Sequence, residues 1–175
     1  YNTLRLLEAR AVHPPKIASL AASPASLTAG TVATLTARGV SDPDGNLAGV
    51  WFYQDSNGNG QWDSSDRVLG GTTTIAGQQA TLSLATTGFA AGTYQVFARA
   101  KDTGGLWSAA VAATFTVLAP DDFGDNAASA ASACVGSTLS GRIETGGDRD
   151  WVKFRATAGQ KITFTTQLTT LQDSV

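Results

Sequence analysis

The segment Asp55-Ser-Asn57-Gly-Asn59-Gly60-Gln61-Trp62-Asp63-Ser-Ser-Asp66 places oxygen-bearing side chains at positions 1, 3, 5, 9 and 12 of a twelve-residue stretch, with glycine at position 6. Carboxylate and amide oxygens at alternate positions suit the binding of a hard cation, which takes six to eight oxygen ligands. Gly60 permits the sharp turn such a loop needs, because it has no Cβ to clash at positive φ. Gln61 would offer its backbone carbonyl, and Asp63 would act directly or through a water.

This is the spacing of an EF-hand-type calcium loop, with two departures. Position 12 is Asp66 where the pattern has glutamate, which shortens bidentate reach and predicts a weaker site. The flanks, Val50-Trp51-Phe52-Tyr53 and Arg67-Val68-Leu69, are β-prone and not helical. The loop is therefore expected to bridge two strands and to act as a fixed staple, not as a sensor that swings helices apart. The competing explanation is a polar turn rich in Asn, Asp and Gly.

The chain has 175 residues and a net charge of −2, which points away from nucleic acid and anionic membranes as partners. Charged residues make up only 15%, and Gly, Ala, Ser and Thr abound, as expected of short strands joined by tight turns. The absence of Met predicts a processed or excised piece of a longer protein. The longest apolar stretch, Leu106 to Ala119, carries Ser and Thr and is shorter than the ~20 residues of a membrane span. It reads as a strand. Cys134 is the single cysteine, so no internal disulfide forms; it is expected to be a small, half-buried apolar residue.

Residues 1–12 read as a helix with Leu4 and Leu7 on one face, ended by His13-Pro14-Pro15. Strand signals then recur at 17–22, 31–38, 47–54, 67–74, 79–85, 93–101 and 109–118. In the second of these, Ala33, Leu35 and Ala37 alternate with Val32, Thr34 and Thr36; in the fifth, Ala80, Leu82 and Leu84 share a face. Ser41-Asp42-Pro43-Asp44-Gly45 is a turn. Seven such strands predict an antiparallel Greek-key β-sandwich. Gly92-Thr93-Tyr94 occupies a tyrosine-corner position, and Trp51 falls where sandwiches often bury an aromatic.

The stretch 16–118 resembles bacterial Ig-like and cadherin-like repeats of secreted proteins. The residues that carry this are Ser41-Asp42-Pro43-Asp44-Gly45, Val50 to Asp55, Gly92 to Val96 and Ala100-Lys101-Asp102. Asp42, Asp44 and Asp102 could make a cadherin-like cation site, but they are better explained as two turn residues and a strand terminator. The opening Tyr1–Val12 segment is similar to the last helix of subtilisin-like catalytic domains.

Ala119-Pro120-Asp121-Asp122 reads as a domain boundary. Beyond it, Asp122-Phe123-Gly124-Asp125-Asn126, Gly147-Asp148-Arg149-Asp150-Trp151-Val152-Lys153-Phe154 and Ala158-Gly159-Gln160-Lys161 look like the first half of a bacterial pre-peptidase C-terminal domain, a sandwich appended to secreted peptidases. The resemblance implies a second calcium site at Asp121, Asp122, Asp148 and Asp150. The alternative is that Asp148 and Asp150 are turn residues before a strand. The family's pattern runs on past Val175, so a continuing parent chain is expected.

The expected architecture is all-β. A helix and linker of a preceding domain (1–15) leads into an Ig-like sandwich (16–118). A linker (119–124) and a truncated, jelly-roll-like second sandwich (125–175) follow. No catalytic constellation is evident: the single His13 lies beside two prolines, and no nucleophile, zinc or phosphate-loop motif occurs. The expected function is a non-catalytic, calcium-stabilised, monomeric spacer in a secreted or cell-surface bacterial subtilisin-like peptidase. Its partners would be the parent catalytic domain and protein or polysaccharide substrate. The rival is a binding module of an adhesin or glycan-degrading enzyme, for which Trp107 is the candidate stacking residue.

Overall fold

The computed structural model describes residues 12–144 and 146–167, so the helix expected at the start lies almost wholly outside the described residues. The described residues are all-β, and the chain forms two compact units that divide between Ala119 and Pro120.

The first unit is a sandwich of two sheets. Strands β1 (Ser19–Ser23), β3 (Val32–Arg38) and β6 (Gln79–Ala85) form one sheet in the order β1-β3-β6. The other runs β2-β8-β7-β4-β5, from β2 (Ser26–Thr28), β4 (Leu47–Gln54), β5 (Arg67–Thr72), β7 (Gly92–Asp102) and β8 (Val111–Leu118). All pairings are antiparallel except β2 with β8. Period-two alternation sets what is buried: Ala33, Leu35 and Ala37 from β3 meet Val50 and Phe52 from β4, Val96, Ala98 and Ala100 from β7, and Phe115 and Val117 from β8.

Three local expectations are changed. The expected 17–22 strand appears as β1, and an additional short strand, β2, follows it where none was expected, on the other sheet. Trp51 is not the buried aromatic of its strand; Phe52 fills the core at 0% exposure, and alternation sends Trp51 to the outer face. His13 and Pro15, expected in a linker, lie against the sandwich: Pro15 is buried, the His13 N–H donates to Asp44 Oδ2 at 2.6 Å, and Lys16 bridges Ser41. The tyrosine corner is present, with the Tyr94 hydroxyl donating to the Ala90 carbonyl at 2.9 Å.

The second unit has little regular structure among its described residues. Strands β9 (Ala131–Ala133) and β10 (Val152–Phe154) pair in parallel, and Ala130 is its one buried hydrophobic residue. Ile143, Trp151, Val152, Phe154 and Phe164 are exposed, as apolar faces left without a partner sheet would be. Cys134 is exposed and not half-buried, because it follows β9 at the turn whose Ser137 N–H returns to the Cys134 carbonyl.

The alternation gives a direct test. Phe52→Ala should cost about 3–5 kcal/mol in urea denaturation, the range for truncating a buried aromatic. Val32→Ala, at 56% exposure on β3, should stay within about 0.5 kcal/mol of the parent. Equal costs would refute the assigned faces.

Candidate metal centre

The loop from Asp55 to Asp66 connects β4 to β5, the strand-to-strand placement its flanks predict. Its polar groups are turned inward on one another. Asp55 accepts the backbone N–H of Gly58 at 2.7 Å and of Gly60 at 2.8 Å. Gly60 adopts φ +74°, the left-handed turn that only glycine takes without strain. Asn57 and Asn59 converge on Asp63 Oδ2 through their amide nitrogens, at 2.7 and 2.9 Å. Their oxygens accept the N–H of Asn59 and of Gln61. The Ser65 hydroxyl and N–H, with the two amides, hold the Asp63 carboxyl down to about 2.

Asp66 stands apart. It is buried at the base of the loop and accepts the N–H groups of Ser56 (3.1 Å) and Asp63 (3.0 Å), which tie the two ends together. The structure thus gathers Asn57, Asn59 and Asp63, sets Asp55 against the glycine amides, and uses Asp66 as a clip. A cation at this loop would take Asp63 Oδ2 with the Asn57 and Asn59 oxygens after those amides turn over, a rearrangement of two side-chain torsions.

The second unit holds a different arrangement. Carboxylate oxygens of Asp121, Glu144, Asp148 and Asp150 all lie within 4.8 Å of one another, the one such group among the described residues. Asp121, Asp148 and Asp150 are brought together as the sequence suggested. Glu144 takes the place foreseen for Asp122, which stays near enough to act on the others through its charge. Asp148 is oriented by the Glu144 N–H at 2.8 Å, and Asp125 accepts the Arg149 N–H at 3.2 Å. Glu144 is one of only two glutamates in the chain and lies outside the Gly147–Phe154 run.

Oxygens Glu144 Oε2 and Asp150 Oδ1 are buried with no hydrogen-bond partner. Desolvation, with the neighbouring acids, pushes both carboxyls above the ordinary range, while Asp148 is lowered chiefly by the Glu144 N–H. Four acids with two unpartnered oxygens fit a hard divalent ion. Such an ion would satisfy those oxygens and remove the mutual repulsion.

Of the other residues singled out, Asp42 accepts the Asp44 N–H at 2.7 Å, and buried Asp102 accepts the Leu106 N–H at 2.7 Å. These are the turn and strand-end roles expected of them. Trp107 is half-buried, packed edge-on against Trp51 at 5.3 Å.

No known protein family matches the chain, and no curated protein does. Solved structures similar to it include a PKD domain of an M14-like peptidase from Thermoplasmatales archaeon SCGC AB-540-F20, with 24% identity, covering 61% of this chain and 98% of that one, at TM-score 0.42. A glycoside hydrolase domain of Endo-D from Streptococcus pneumoniae R6 shares 16% over 62% of this chain and 16% of its own, at TM-score 0.36. A superoxide reductase (neelaredoxin) from Ignicoccus hospitalis shares 15% over 61% and 80%, at TM-score 0.37. These likenesses are too slight to carry function, which rests on the residues themselves.

The acid cluster predicts an inverted pH response. A carboxyl raised in the folded state favours folding below its unfolded value, 4.5 for Glu144 and 3.8 for Asp150, and loses that contribution as pH rises through the folded value. Asp148 acts in the opposite sense, but only below 3.8. In EDTA, the urea midpoint of the second unit, followed by β10 amide signals in NMR, should fall as pH rises above about 4.5. Calcium should abolish the fall; a midpoint that rises with pH in EDTA would contradict this.

Proposed function

We propose that this chain is a non-catalytic, calcium-stabilised accessory and spacer region of a secreted bacterial subtilisin-like peptidase. The observation that carries the calcium part is the four-acid cluster with its two buried, unpartnered oxygens. The 55–66 loop supports it with a second set of oxygens already curled into a ring of hydrogen bonds. Each ion would act as a staple. It would join Asp121 at the start of the second unit to the 144–150 turn, and it would lock the β4–β5 connection.

The spacer role draws on what the first unit buries. Its core is apolar, and its four buried polar residues, Asp66, Thr86, Asp102 and Ser108, each hold backbone groups in place. His13 is engaged with Asp44. The peptidase assignment rests on the resemblance of the Gly147–Phe154 run to pre-peptidase C-terminal domains and of Tyr1–Val12 to a subtilisin-like terminal helix. Secretion is part of the same resemblance; an extracellular module typically binds calcium at ~10⁻⁴–10⁻³ M, which would suit millimolar surroundings. The partners are the parent catalytic domain and its protein or polysaccharide substrate, with the region itself monomeric. A glycan-binding module presenting Trp107 is less well served, because that ring is already packed on Trp51 and faced by Lys101 at 5.1 Å.

Calcium at a hundred times its dissociation constant should stabilise each unit by about 2.7 kcal/mol. The expected result is a melting temperature that falls in EDTA and recovers with calcium but not with sodium. Asp55→Ala with Asp63→Ala should remove the response of the first unit, and Asp148→Asn with Asp150→Asn that of the second. Melting indifferent to EDTA in the parent chain would end the calcium reading. The coding sequence upstream of Tyr1 should specify a subtilisin-like catalytic domain; a different domain there would end the peptidase assignment.

A further inference from the structure

Trp62 lies between Gln61 and Asp63, two positions through which the loop would reach its ion. Its ring is not free. It meets Tyr53 edge-on at 5.6 Å, and the Arg99 guanidinium stands 3.8 Å from its centroid. Arg99 belongs to β7, in register with Trp51 of β4 on the outer face of the five-stranded sheet.

Arg99 is fixed from its other side. Its Nε donates to the Ser108 carbonyl at 3.0 Å. The Ser108 hydroxyl accepts the Ala100 N–H and donates to the Ala109 carbonyl. Trp107 stands 5.2 Å from the same guanidinium. Tyr53 is buried and Arg99 and Trp62 are half-buried, so the stack is partly withdrawn from water, where a cation–π contact counts for more.

A second prop comes from the same strand. Gln95 lies four residues before Arg99, on the same face of β7. Its Nε2 donates to the Gly60 carbonyl at 3.3 Å, and its own carbonyl accepts the Asp55 N–H at 3.0 Å. The loop is therefore held by β7 at its first, sixth and eighth positions, by groups that cannot themselves touch the ion. Holding a binding loop in shape beforehand removes ordering cost from the binding step.

We propose that Arg99, acting through Trp62, is a positioning residue that pre-forms the 55–66 loop for calcium. This rests on the calcium reading of that loop given above. Arg99 would make no contact with the ion; it fixes the ring next to Asp63, whose carboxylate would serve as a ligand.

The test uses the whole chain carrying Asp148→Asn and Asp150→Asn, so that only the loop titrates, with calcium followed by calorimetry and by tryptophan fluorescence. Arg99→Met should weaken calcium about tenfold, the equivalent of losing one shielded cation–π contact. Arg99→Lys should recover part of the loss, since charge remains without the planar stack. Lys101→Ala, which faces Trp107 and not the loop, should bind as the parent does. Trp62→Leu removes the ring while leaving Arg99 and should reproduce the Arg99→Met loss, so it serves if Arg99→Met does not fold. Binding in both Arg99→Met and Trp62→Leu as tight as in the parent would overturn the positioning role while leaving the calcium site intact. A parent chain that binds no calcium at the loop would overturn the reading beneath it, and the positioning role with it.

Discussion

The pairing of β4 with β7 is the contact on which the first unit depends. Its inner face sets Val50 and Phe52 beside Val96, Ala98 and Ala100 in the core. Its outer face sets Trp51 opposite Arg99 and Tyr53 opposite Phe97. The same ladder ends where the 55–66 loop begins, so Gln95 and Arg99 reach that loop from a strand the core has already fixed. Because strand side chains alternate strictly, a one-residue slip would empty the core and withdraw both props together. Stability and loop geometry are thus two readings of one register.

The second unit depends on charge more than on burial. Its apolar residues are mostly exposed, and its acids are drawn together by a turn that places Asp148 against the Glu144 N–H. Without a counter-ion, such a group resists assembly, since each carboxylate raises the cost of ionising the next. A divalent ion reverses the sign of that effect. Bound there, it would turn four mutually repelling groups into ligands of one centre, a general route by which a small unit with a poor core gains stability.

Much of the first unit was legible in the sequence because its signals were strictly local. The boundaries of β4 and β6 and the inward set of β3 follow from alternation, and the tyrosine corner from Gly92-Thr93-Tyr94. The choice between Trp51 and Phe52 was not legible, because both alternating faces of β4 carry large apolar residues. Which of them meets the other sheet is decided by pairing. Nor was Glu144, whose place in the cluster comes with the hydrogen bond of its N–H to Asp148 and not from a spacing. The second, truncated sandwich was expected from resemblance, and among the described residues its apolar side chains are mostly exposed.

The two oxygen-rich sites differ in what they do without an ion. In the loop, the three carboxylates are answered by backbone amides, two asparagine amides and a serine, so the ring can close on its own hydrogen bonds. An ion there must displace partners that are already good, which keeps the net gain small and makes prior positioning by Trp62 and Arg99 matter. In the cluster, two oxygens have no partner at all and neighbouring acids repel them. An ion there displaces nothing and removes a penalty. The cluster is therefore the site where a bound cation would add most to folding, and the loop the site where the surrounding strands would add most to holding a cation.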